Sequence, residues 1–180
     1  MTVDWAGVAV RFALYLDLML ACGLAAFTLT APTGTARKIP LRTLVVACGC
    51  LGLFLSAGGL LVMTAAMAGT TLTEIDRETL TMIVEETPYG AAWTIRMVAL
   101  VLAVGSASTI RGESSRAPVA ASTAALALAV ATLAWGGHGA MSEGAIGILH
   151  LGADIAHLLA AAVWMGSLLG LLLLVARSAA

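Results

Sequence analysis

The side chains best able to do chemistry in this sequence are three histidines, all between positions 138 and 157. His150, Asp154 and His157 are spaced i, i+4, i+7, which puts them on one face of a helix. His138 lies just before the short loop that leads into this helix and can fold back towards His150. Neutral imidazole is the commonest side-chain metal ligand, and a carboxylate is its usual orienting partner. Along a helix axis His150 and His157 are about 10 Å apart, too far to share one ion. The spacing therefore points to one site near the surface (His138, His150 and Asp154) and a deeper position at His157. A lone histidine in an apolar helix is best read as an interhelical hydrogen bonder. Three of them around an aspartate favour a ligand or proton role.

Softness selects the metal. Thioethers and thiolates prefer Cu(I), whereas imidazole serves copper, zinc, iron and nickel. Met63 and Met67 are one turn apart near the end of an apolar run, at the depth of the histidines, and Met141 lies in the His138 loop. Methionines in apolar helices are usually core filling, but beside three histidines these shift the choice to copper, as Cu(I) or Cu(II). Cys22, Cys48 and Cys50 fall in the opposite half of their runs. Cys48 and Cys50 point about 200° apart on a helix, so they cannot face one ion.

The elements that carry these residues follow from composition. The chain has 180 residues, 61% hydrophobic and 11% charged, with a net charge of −1. Soluble domains carry about a quarter charged residues, so a soluble fold, a disordered chain and a nucleic-acid binder are all excluded. Five runs reach the roughly 20 apolar residues needed to cross a bilayer: about 5–30, 41–69, 89–110, 118–137 and 146–175. They lack the alternation of membrane strands. The fold expected over 1–180 is thus all-α, a single polytopic transmembrane bundle of about five spans. The first run begins with Asp4 rather than a basic stretch and reads as a retained helix, not a signal peptide.

Arg37, Lys38, Arg42, Arg111, Arg116 and Arg177 lie at one end of this bundle, whereas the segment 70–88 holds five acids against Arg77 alone. The positive-inside rule places the N-terminus outside and the C-terminus in the cytoplasm. Within 70–88, Leu72, Ile75, Thr79, Met82 and Ile83 recur near helical spacing, predicting a short amphipathic helix that Pro88 would end. Tyr89 and Trp93 fall where interfacial aromatics belong. Inside the spans, charges cost several kcal/mol. Arg11, Arg96 and Asp154 sit at one depth and Asp17 about two turns below Arg11, so Arg–Asp pairs are expected. Gly166 and Gly170 form a GxxxG that permits close packing within the chain or in a homodimer.

The run from Trp135 to Leu168, WGGHGAMSEGAIGILHLGADIAHLLAAAVWMGSL, resembles the signature of the copper-resistance protein D family of bacterial inner-membrane proteins. His138, His150, Asp154, His157, Trp164 and Gly166 occupy its places, and RFALYLDLMLACGLAAF and TPYGAAWTIR are also similar to family segments. The resemblance implies a multi-pass protein of the bacterial inner membrane that moves copper between periplasm and cytoplasm. It makes the three histidines ligands and Asp154 an orienting carboxylate. Members usually run on through further spans beyond this helix.

Taken together, the expectation is a non-enzymatic copper-binding protein. The ion is taken by His138, Met141 and His150 and handed to His157, with a periplasmic donor protein and the lipid bilayer as partners. Two alternatives stay open: a b-type haem cytochrome with His150 or His157 as an axial ligand, and a scaffold or assembly subunit of a respiratory complex in which the histidines only pack.

Overall fold

The computed structural model describes residues 5–32, 39–111, 116–136 and 144–178. The described residues are helical with no strand, and five helices are long and apolar enough to cross a membrane. They are α1 (Trp5–Thr30), α2 (Leu41–Ala68), α4 (Pro88–Ser108), α5 (Arg116–Ala131, which reaches spanning length with the turn that continues it to Gly136) and α6 (Gly144–Ser178). A short helix, α3 (Arg77–Glu86), lies between α2 and α4, and α5 tightens into a 3₁₀ turn over Thr132–Gly136. The boundaries match the apolar runs within a few residues, because desolvated backbone in a bilayer has to satisfy its hydrogen bonds within the helix.

Helix ends follow local chemistry. Gly69 closes α2 with φ 66°, and its N–H bonds the Ala65 carbonyl, a left-handed cap that suits a residue without Cβ. Asp76 caps α3, accepting from the Thr79 backbone N–H at 2.7 Å and from its hydroxyl at 2.8 Å. Thr87 serves both neighbours: its hydroxyl donates to the Ile83 carbonyl at 2.6 Å and accepts from the Gly90 N–H at 3.0 Å. Pro88 therefore does not itself end α3. It occupies the first turn of α4, where a missing N–H costs nothing. The amphipathic face of α3 is anchored by the buried Ile83, while Gly90 lets its carbonyl end abut α4: a Cβ there would overlap the Ile83 and Val84 backbone.

α1, α2, α4 and α5 pack as a ring in that order, and α6 lies outside the ring against α1, with a smaller contact to α5. The ring interior is aliphatic and small: Leu18, Val45, Leu100, Leu126 and Val130 are fully buried. The α1–α6 seam is built on glycine. A Cβ on Gly23 would overlap the Ala162 carbonyl, and one on Gly166 would overlap the Gly23 backbone. Small residues allow this close approach, and close approach supplies the dispersion that holds helices together in lipid. The GxxxG of α6 is thus used inside the chain, with Gly170 beneath the Phe27 ring. α6 is 35 residues long and the least covered of the spans.

Two outcomes follow from these contacts. Gly166→Leu forces side-chain atoms into the α1 backbone, which cannot move aside as a side chain can. It is expected to destabilise the detergent-solubilised protein by about 3 kcal/mol, the upper end for overpacking, as read from denaturation curves. Gly152→Ala, with open space around its Cβ, is expected to leave the curve nearly unmoved; equal losses in both variants would contradict the seam. The second outcome concerns pH. Hydrogen bonds from Thr79 hold the Asp76 carboxyl below the usual aspartate range. A depressed carboxyl stabilises α3 above its ordinary pKa of about 3.9, and the benefit is lost as pH falls through the lowered native value. Amide exchange at Thr79 and Leu80 is therefore expected to be faster in Asp76→Ala near neutral pH. The two proteins should converge in strong acid.

Candidate functional site

Three helices and the 3₁₀ turn enclose a chamber of about 260 Å³ at one end of the ring. α1 contributes Arg11 and Tyr15, α2 Met63 and Met67, α4 Tyr89 and Arg96, and the turn Leu133 and Gly136. The spacings are helical: four residues separate Arg11 from Tyr15 and Met63 from Met67, and seven separate Tyr89 from Arg96, so each pair shares a face. Arg96 is only 4% exposed. Its guanidinium hydrogen-bonds the Tyr89 oxygen, and its buried Nε–H has no partner. Tyr15 donates its hydroxyl proton to the Leu133 carbonyl at 3.0 Å, tying α1 to the 3₁₀ turn. Among the described lining residues there are two guanidinium groups and no carboxylate, so the chamber is electropositive.

Asp17 is not part of it. It lies deeper in α1, buried, with its carboxylate hydrogen-bonded by the Cys48 thiol and its Oδ2 without a partner. A Cβ at Gly52 would come within 3.1 Å of that oxygen, so the glycine makes the room. The Arg–Asp pairs expected of Arg11, Asp17 and Arg96 are therefore not what these side chains form: the arginines keep company with tyrosines and the aspartate with a thiol. The cause is depth, since about two turns of α1 separate Arg11 from Asp17. Cys22 is buried, Cys48 half-buried and Cys50 exposed, and none is in a disulfide.

His150, Asp154 and His157 are all exposed, along the flank of α6 that does not pack on α1. Asp154 is close enough to Tyr15 to act on it electrostatically, so this face adjoins the chamber wall. Met63 and Met67 line the chamber from α2, a chamber that neither His150 nor His157 lines. His138 and Met141 lie outside the described residues. Among the described residues no three histidine, cysteine or acidic side chains converge on a point that could hold a metal.

Sequence reasoning missed the tyrosines. Tyr89 partners Arg96, and Trp93, half-buried, donates to the Ser56 carbonyl of α2 at 3.0 Å. The signal available was the i, i+4 and i, i+7 spacing of each tyrosine from an arginine.

Comparison with known proteins bears out the family resemblance. The family described as copper resistance protein D-like, N-terminal domain, matches residues 1–148. A protein named copper resistance protein D from Pseudomonas syringae pv. tomato is 41% identical over 178 residues, covering 95% of this chain and 56% of the relative. The chain thus spans about half the length of that curated relative. No solved structure matches. With a family match over most of its length, a close relative across nearly all of it, and five apolar helices, this membrane protein belongs to the copper resistance protein D-like family.

Proposed function

We propose that the chain binds copper as cargo at the histidine face of α6 and transfers it by ligand exchange, without catalysis. The observation that carries this reading is the placement of His150, Asp154 and His157 along an open flank of an otherwise apolar helix. Two imidazoles and a carboxylate on one exposed face of an apolar span form a donor set suited to a soft or borderline metal ion. The name of the Pseudomonas relative supports copper as that ion.

In this reading His138 and Met141, on the segment 137–143 that joins the 3₁₀ turn to α6, complete an outer site with His150. Asp154 orients an imidazole. His157, about 10 Å further along the axis, is the next station. Copper passes inward from the periplasmic side of a bacterial inner membrane, with the N-terminus outside, and a periplasmic protein supplies it. Met63 and Met67 belong to a later station or to the chamber wall. Two arginines beside them disfavour a bare cation there, so the proposal rests on the histidines.

The test is copper retained per chain after loading with Cu(I) and desalting, measured by mass spectrometry. Near-stoichiometric copper is expected in the parent, with clear loss in His150→Ala and His157→Ala. Asp154→Asn should weaken affinity roughly 10- to 100-fold, the usual loss when a carboxylate that orients a ligating imidazole is removed. Equal copper in all proteins, or none in any, would sink the ligand assignment; a Soret band on purification would move it to haem.

A further inference from the structure

The chamber between α1, α2 and α4 has features that cargo copper does not explain. Arg96 is nine-tenths buried or more, lines the chamber, and has an Nε–H with no acceptor. A buried charged donor without a partner is expensive, and natural structures rarely leave one unmet. Tyr89 gives its oxygen to Arg96, so its own hydroxyl proton remains to be donated. Arg11 lines the same chamber and also a shallower groove on the outer side of α1, formed with Gly7, Val8, Phe12 and Tyr15. It stands where the chamber meets the surface.

Every one of these groups donates. No carboxylate lines the chamber among the described residues. Asp17, two residues past Tyr15, is engaged by the Cys48 thiol, Asp154 of α6 acts on Tyr15 without lining the chamber, and Glu85 and Glu86 on α3 are exposed. Guanidinium groups at two corners of a partly closed, low-dielectric space are the arrangement that recognises an oxyanion. Donors arriving from both α1 and α4 suit a tetrahedral group, whose oxygens accept from several directions, better than a planar carboxylate. The volume of about 260 Å³ admits a small group but not a large ligand.

We propose that this chamber binds a phosphate group, held by Arg11 at the mouth and by Arg96 and Tyr89 at the back. The phosphate belongs either to an anionic phospholipid reaching in along the groove of α1 or to free inorganic phosphate. Binding neutralises two arginines that meet no carboxylate among the described lining residues. The site uses none of the residues of the histidine face, which it adjoins at Tyr15.

The experiment is thermal melting of the full chain in a neutral detergent, titrated separately with three probes. These are inorganic phosphate, a short-chain phosphatidylglycerol, and a monoacylglycerol of the same chain length. Phosphate or phosphatidylglycerol is expected to raise Tm saturably and the monoacylglycerol to leave it unchanged. A response to phosphate alone identifies the free anion, and one to phosphatidylglycerol alone identifies the lipid. Arg11→Gln and Arg96→Gln should each weaken the apparent Kd roughly tenfold or more, the usual loss for a hydrogen bond to a charged group. Arg42→Gln, exposed and outside the chamber, removes the same charge and should not weaken it. If Arg96→Gln fails to fold, Arg11→Gln, whose side chain is exposed, decides the matter. No saturable response to either phosphate compound, or the same response in Arg11→Gln as in the parent, would overturn the proposal.

Discussion

The backbone-to-backbone contact of α1 with α6 governs what the rest of the molecule can present. Gly23 and Gly166 have no side chain between them, so the two helices approach as closely as helices can. That contact fixes the rotation of α6 about its own axis. With Ala162, Gly166 and Gly170 turned towards α1, the i, i+4, i+7 polar set is turned to the flank. Lipid offers helices no hydrophobic drive to associate, so shape has to supply what burial supplies in water. One seam of missing methyl groups thus aims the histidines.

The second organising fact is a separation of chemistries across α1. On one side lie imidazoles and a carboxylate, acceptors suited to a soft or borderline cation. On the other lie guanidinium and phenol groups, which donate. Tyr15 sits at the border: it lines the chamber, is acted on by Asp154, and bonds the turn at Leu133. Deeper still, Asp17 and Cys48 form a third polar contact that touches neither side. Engaging the chamber arginine Arg96 with a tyrosine and Asp17 with a thiol leaves cation and carboxylate available for something other than each other.

Much of this was legible in the sequence, and the rest failed for definable reasons. Span limits were readable because twenty apolar residues have one physical solution in a bilayer. The α3 helix was readable from the period of Leu72, Ile75, Thr79, Met82 and Ile83, although Leu72 and Ile75 precede it and Asp76 and Thr87, not Pro88, set its limits. The exposure of His150, Asp154 and His157 on one face followed from spacing. Depth was readable by counting residues, but azimuth was not. Runs apolar on every side carry no directional signal, so nothing said that α2 would face α4 across the chamber while α6 stood outside the ring. Met63 and Met67 line a chamber that His150 and His157 do not, and Arg96 meets a tyrosine from its own helix in place of an aspartate.

One dimension of α6 has a mechanical consequence. A helix of 35 residues is about 52 Å long at 1.5 Å per residue, whereas bilayer hydrocarbon is about 30 Å thick and spans seldom lean beyond about 40°. Its apolar stretch therefore has to slant steeply, and its ends have to stand in the headgroups or beyond. Because α6 is joined to α1 along the seam of Gly166 and Gly170, bilayer thickness sets the slant of the two helices together.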